Sequence, residues 1–204
     1  MCRFFLILIA GLFCSFPSFA GGGIASSRDV PREVEYDGSI LKLNGVSERK
    51  KFGGGVEYII ALYLESASSN AEEVLYSSQK KSARMFFVEP LSYKNAKRVL
   101  FEDLIMNLDS SKFGGVVGRL EELMVAAPKD GFAAGDWAQF DYLPGKGTIV
   151  GVNGRQSSFI EGEDFYAALL MQWIGPRPVS RSLKREVLGL KGSVAEKDGL
   201  SVRK

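Results

Sequence analysis

The sequence predicts an α+β fold, one large antiparallel sheet with helices packed on one face. Strand-like runs fill the first half and the third quarter of the 204-residue chain. Long helical stripes stand between and after them, and neither an internal repeat nor a second domain interrupts the pattern.

Each element has its own signal. Residues 21–37 read as a small, polar lead-in, with strand character starting at Val34. Ile40-Leu41-Lys42-Leu43 alternates in the manner of a half-buried strand. Gly45, the charged stretch Glu48-Arg49-Lys50-Lys51 and the triplet Gly53-Gly54-Gly55 follow. Val56 to Glu65 (VEYIIALYLE) is apolar on both faces, as expected of a strand covered on both sides. Ala83 to Val88 reads as another strand. Leu91 to Leu108 has helical spacing, with Ala96, Val99, Leu100, Leu104 and Ile105 in one stripe. Phe113 to Ala127 reads as a second helix, and strands are expected near 137–143, 148–153 and 157–160. Glu161-Gly162-Glu163-Asp164 is read as the acidic first turn of a helix, which suits the helix dipole. Phe165 to Ile174 is an almost wholly apolar helix closed by Gly175-Pro176, so Phe165, Met171 and Trp173 are expected in the core. A short helix is expected after Ser180, a good N-cap, ending at Gly189. The domain is placed at 38–190, and 191–204 forms a polar tail.

One stretch imitates a phosphate loop. In Asp141 to Gly154 (DYLPGKGTIVGVNG), glycines flank Lys146 and Thr148 follows. A Walker loop requires GxxxxGK[ST] opening a helix, yet Phe140 stands where its first glycine belongs and Gly147 where its hydroxyl belongs. The β-branched run after Gly147 is strand-like. Pro144 to Gly147 is therefore expected as a hairpin turn, with no nucleotide cofactor.

Composition excludes several chemistries. The chain has no histidine, so histidine-based nucleophilic catalysis and histidine-ligated metals are excluded, and the carboxylates do not cluster into a metal site. A formal charge of +2 does not suggest a nucleic-acid partner. Residues 1–20 read as a cleavable secretory signal: Arg3, an apolar core from Phe4 to Phe13, and Ala20 at the cleavage point. That apolar run falls short of the roughly 20 residues needed to span a bilayer. Cys14 lacks the small neighbours of a lipidated cysteine. A periplasmic or secreted monomer is expected, with no membrane insertion after cleavage. Both cysteines, Cys2 and Cys14, lie in the signal, so the mature chain has no disulfide.

Several blocks in order, LNGVSERKKF, YIIALYLE, GDWAQFDYLPGKGTIVGVNG, IEGEDFYAALLMQWIG and PVSRSLKREVLG, closely resemble the bacterial exported chalcone-isomerase-like proteins. The resemblance covers roughly residues 38–190. It implies an open-faced β-sandwich, a large antiparallel sheet with helices against it and a buried cleft between. Within the wider family, plant isomerases close a chalcone to a flavanone, and other relatives bind fatty acids, holding the carboxylate with an arginine and a tyrosine. The resemblance puts Arg49 and Tyr63 in those roles, with Tyr93 as a further cleft residue. An arginine and a phenol facing an apolar cleft would hold a carboxylate through a bidentate fork and one hydroxyl. Taken alone, Arg49 in its charged run reads as a solvated charge, and Tyr63 as a core aromatic.

Three functions follow. The chain binds a fatty acid or similar amphiphilic carboxylate with Arg49 as anchor, without a cofactor. Alternatively it is an isomerase (an intramolecular lyase) on a phenolic enone, with Arg49 polarising the carbonyl. Or it is a structural module of the cell envelope. No proton-transfer residue is recognisable, which favours binding. Arg49 and Tyr63 are expected on neighbouring strands and on the same face.

Overall fold

A computed structural model describes residues 24–108 and 110–190, with the backbone alone for 110–114. The expected signal at 1–20 and the tail at 191–204 lie outside the described residues.

Seven strands form a single sheet in which each strand pairs antiparallel with its sequence neighbour. The first four are β1 (Glu33–Tyr36), β2 (Ser39–Lys50), β3 (Val56–Leu64) and β4 (Lys81–Phe87), and the last three are β5 (Trp137–Leu143), β6 (Gly147–Val152) and β7 (Arg155–Glu161). Helix α1 (Ala71–Tyr76) lies between β3 and β4, while α2 (Tyr93–Ile105) and α3 (Ser110–Val125) join β4 to β5. Helices α4 (Glu163–Ile174) and α5 (Arg181–Val187) follow β7. The expected α+β sheet with helices on one face is the architecture found. Sequence reading missed α1, which is only six residues long and starts on Asn70, whose side chain accepts from Glu72 N and Glu73 N.

Alternation along β3 divides the core in two. Tyr58, Ile60, Leu62 and Leu64 face the helices. Ile59, Ala61 and Tyr63 face outward and are covered by Ile24, Val30, Val34 and Tyr36. The segment expected as a loose lead-in is thus the cover of the outer face, and this is why β3 is apolar on both sides. Helix α4 is the central prop on the other face, with nine of its twelve residues buried. Helix α2 is held more lightly, burying only Leu100 and Leu104; Ile105, expected in its apolar stripe, is 38% exposed.

The phosphate-loop imitation is a hairpin turn between β5 and β6, as expected. Glu163, at the start of α4, accepts from Gly145 N at 2.7 Å and from the Tyr142 hydroxyl at 2.9 Å, bracing the turn against the helix. Ser180 caps α5 by accepting from Leu183 N, again as expected.

Candidate functional site

The β2–β3 hairpin positions the candidate anchor. Lys50 faces Val56 beside the tip, but Arg49 faces Tyr58, so Glu57 is an extra residue on β3. The odd register continues through Val46↔Ala61 and Gly45↔Leu62, until Asn44 is the extra residue on β2 and Leu43 faces Tyr63. Between the two bulges every side chain on β3 is turned over relative to an unbroken hairpin. Arg49 therefore shares the helix-side face with Tyr58, and Tyr63 points the other way. The expected Arg49–Tyr63 pair is corrected: the two are on opposite faces, because one residue inserted at Glu57 inverts the alternation.

Around Arg49 the structure gathers residues that sequence reasoning did not select. Its guanidinium lies 3.9 Å from Glu57 and 3.5 Å from Asp103 of α2. The Arg49–Asp103 pair is loose, since Arg49 Nη1 and Asp103 Oδ2 are buried and have no hydrogen-bond partner among the described residues. Burial pushes the Asp103 carboxyl above the ordinary aspartate range, against the pull of Arg49. Tyr58 is 1% exposed, and its oxygen accepts from Trp173 Nε1 at 3.1 Å. Burial raises its phenol well above the tyrosine range, again opposed by Arg49, so it is a neutral donor and no base.

Each member of the pair borders a different space. On the surface side is a polar recess of about 520 Å³, where Arg49 is joined by Ser47, Ser180, Ser182 and Glu186. On the interior side, Tyr58 lines a cavity of about 50 Å³ between the sheet, α2, α3 and α4, with walls such as Phe87, Leu100, Leu123, Met124 and Phe140. Among the described residues the only other polar wall residue is Gln172 of α4. Arg49, on the polar recess, and Tyr58, on the apolar cavity, are thus paired neighbours across β2 and β3.

Tyr93 is not among the cavity walls, although its neighbours Leu91 and Ala96 are. Its hydroxyl donates to Met124 O at 3.2 Å and fastens α2 to α3. Tyr63 belongs to the outer face, donating to Pro31 O at 3.0 Å. There the Arg84 guanidinium lies 5.5 Å from the Tyr63 ring and 5.1 Å from that of Trp137, a residue sequence reading gave no role. Beside them Asp141 is 3% exposed and accepts from Gln139 Nε2 at 3.0 Å. Burial pushes its carboxyl up to about 6. A raised carboxyl penalises the folded state above that pH, and the penalty disappears below the unfolded value. Asp141→Asn is therefore expected to stabilise the protein at pH 7.5 and to lose most of that advantage at pH 4.5, as read from urea midpoints at the two pH values.

Among the described residues no cluster of three or more metal-binding side chains occurs, and no helix is long and apolar enough to cross a membrane.

The sequence from residue 25 to 189 matches the family model described as chalcone isomerase-like. Among solved structures, the fold is similar to that of a fatty-acid binding protein of Arabidopsis thaliana, with a TM-score of 0.65 at 16% identity over 82% of this chain and 96% of that one. A search of curated proteins gave no match.

Proposed function

Because the chain belongs to the chalcone isomerase-like family, we propose that it binds a fatty acid or similar amphiphilic carboxylate, with the acid group on Arg49 and Tyr58 and the chain in the apolar cavity. The observation that carries this reading is that two cross-strand partners border different spaces, Arg49 the polar recess and Tyr58 the apolar cavity. An amphiphile has the same division of polarity. A carboxylate would receive the free Arg49 Nη1 and the Tyr58 hydroxyl proton, which no described group accepts.

The cavity has to widen for this. About 50 Å³ holds a few waters and no long chain. Helix α2, which buries only two side chains, is the wall that moves, and α4 is the wall that stays.

Asp103 competes with the ligand for Arg49. When protonated it withdraws, so affinity for the anion is expected to rise as the pH is lowered through the range, above that of an ordinary aspartate, in which Asp103 takes up its proton. Asp103→Asn should bind a long-chain fatty acid several-fold more tightly and flatten this dependence, as measured by calorimetric titration. Absence of fatty-acid binding by the wild type would overturn the reading.

The same Asp103 is the one observation in favour of the isomerase alternative, since a raised carboxyl beside Arg49 is placed to move a proton. The two readings demand opposite outcomes from one variant. If the protein cyclises a chalcone, Asp103→Asn abolishes turnover; if it binds a carboxylate, the variant improves binding.

We further propose that the protein acts outside the cytoplasm. Residues 1–20 carry the composition of a signal peptide, and intact-mass analysis of protein recovered from its own cells is expected to place the N-terminus at Gly21.

A further inference from the structure

Gln172 is out of place among its neighbours. It is 0% exposed on α4, in a run whose other buried members include Leu169, Leu170, Trp173 and Ile174. Its amide nitrogen donates to Leu169 O, one turn earlier, at 2.9 Å. A carbonyl accepts only from a donor, so this bond fixes which end of the amide is nitrogen and which is oxygen. The oxygen, Oε1, has no hydrogen-bond partner among the described residues. A leucine here would pack into the same space without an unsatisfied group, and buried polar atoms in folded proteins are overwhelmingly paired.

The residue also lines the apolar cavity, whose only other polar wall among the described residues is Tyr58. The two leave complementary valences. Tyr58 takes the Trp173 N–H on its oxygen and keeps a proton to give, which the proposed carboxylate accepts. Gln172 keeps a lone pair to receive a proton. A ketone, an ether or a double bond on the chain cannot supply one; a hydroxyl can. A water here would have these two side chains as its partners among the described residues, the fewest that hold a buried water.

We propose that Gln172 is a specificity residue, and that the acyl chain bound here carries a hydroxyl group that donates to its Oε1. The inference rests on the carboxylate-binding reading above and narrows it from fatty acids in general to hydroxy fatty acids. A site built to hydrogen-bond a hydroxyl discriminates against the analogue lacking it, because its own buried group is then left unpaired.

The test is a titration of wild type and Gln172→Leu with an unsubstituted sixteen-carbon acid and with its mono-hydroxylated isomers, the hydroxyl moved along the chain. In the wild type, one narrow set of isomers should bind about tenfold more tightly than the unsubstituted acid, the gain of one hydrogen bond. In Gln172→Leu that preference should vanish and the unsubstituted acid should bind at least as well as before. Equal affinities for every isomer and the unsubstituted acid in the wild type overturn the proposal while leaving carboxylate binding intact, and this comparison needs no variant. A preference that survives in Gln172→Leu overturns the assignment to this residue. Failure of all these acids to bind overturns the underlying reading together with the proposal.

Discussion

Arg49→Ala is expected to weaken fatty-acid binding tenfold to a hundredfold in a calorimetric titration. A charge-assisted hydrogen bond contributes about 1.5–3 kcal/mol, and each 1.4 kcal/mol is a factor of ten. Arg49→Lys should recover only part of the loss, because an ammonium has no planar fork to offer a carboxylate. The surroundings of Arg49 add a second readout. Without its guanidinium, Asp103 and Glu57 face each other across α2 and β3 with no cation between them. The Asp103 carboxyl should then titrate at still higher pH, so the variant keeps its fold but is more stable in mild acid than at pH 8. Unchanged affinity in Arg49→Ala would remove the anchor from the proposal.

Gly45→Ala, the addition of a single methyl group, should cost about 3 kcal/mol or more of stability in a urea titration, at the upper end of what overpacking does. A Cβ at this position would lie 2.1 Å from Glu186 O and 2.4 Å from Val187 O. Both atoms are backbone in the last turn of α5, so no side-chain rotation relieves the contact. Next to it Asn44, the bulged residue of β2, donates to Ser68 O and to Val187 O and accepts from Ser68 N. Glycine allows the close approach, and asparagine holds it. Because Ser180, Ser182 and Glu186, at the start of α5 and along it, form part of the polar recess, the variant should also bind ligand less well at temperatures where it remains folded.

The sheet was legible because its signals are local and repeated. The two-faced run at β3 announced cover on both sides, and the glycine-rich turn after Leu143 announced a hairpin. The apolar run of α4 announced the prop beneath them. Arg49, the proposed anchor, was selected through the family resemblance. Its partner was not, because partner choice depends on register. A hairpin closed around the glycine triplet places Arg49 near Glu57 and Tyr58, on simple counting, and that count was the available clue to Tyr58. The bulge at Glu57, which decides the face, has no marker in the local sequence. Gln172 and Asp103 were hidden for another reason. A single amide in an apolar helix and an acid in a charged one acquire meaning only from what the tertiary fold brings opposite them.

The contact of Asn44 and Ser47 with α5 has a consequence for how the protein is made. Ser47 donates to Glu186 at 2.6 Å, and Asn44 reaches Val187, so the polar recess is assembled from the first long strand and the last helix. Neighbouring strands can zip up as the chain is delivered from its N-terminus, yet the recess lacks a wall until the final segment arrives. A nascent chain therefore carries Arg49 without a finished recess around it. Under the proposed function, ligand loading is then a post-synthetic event.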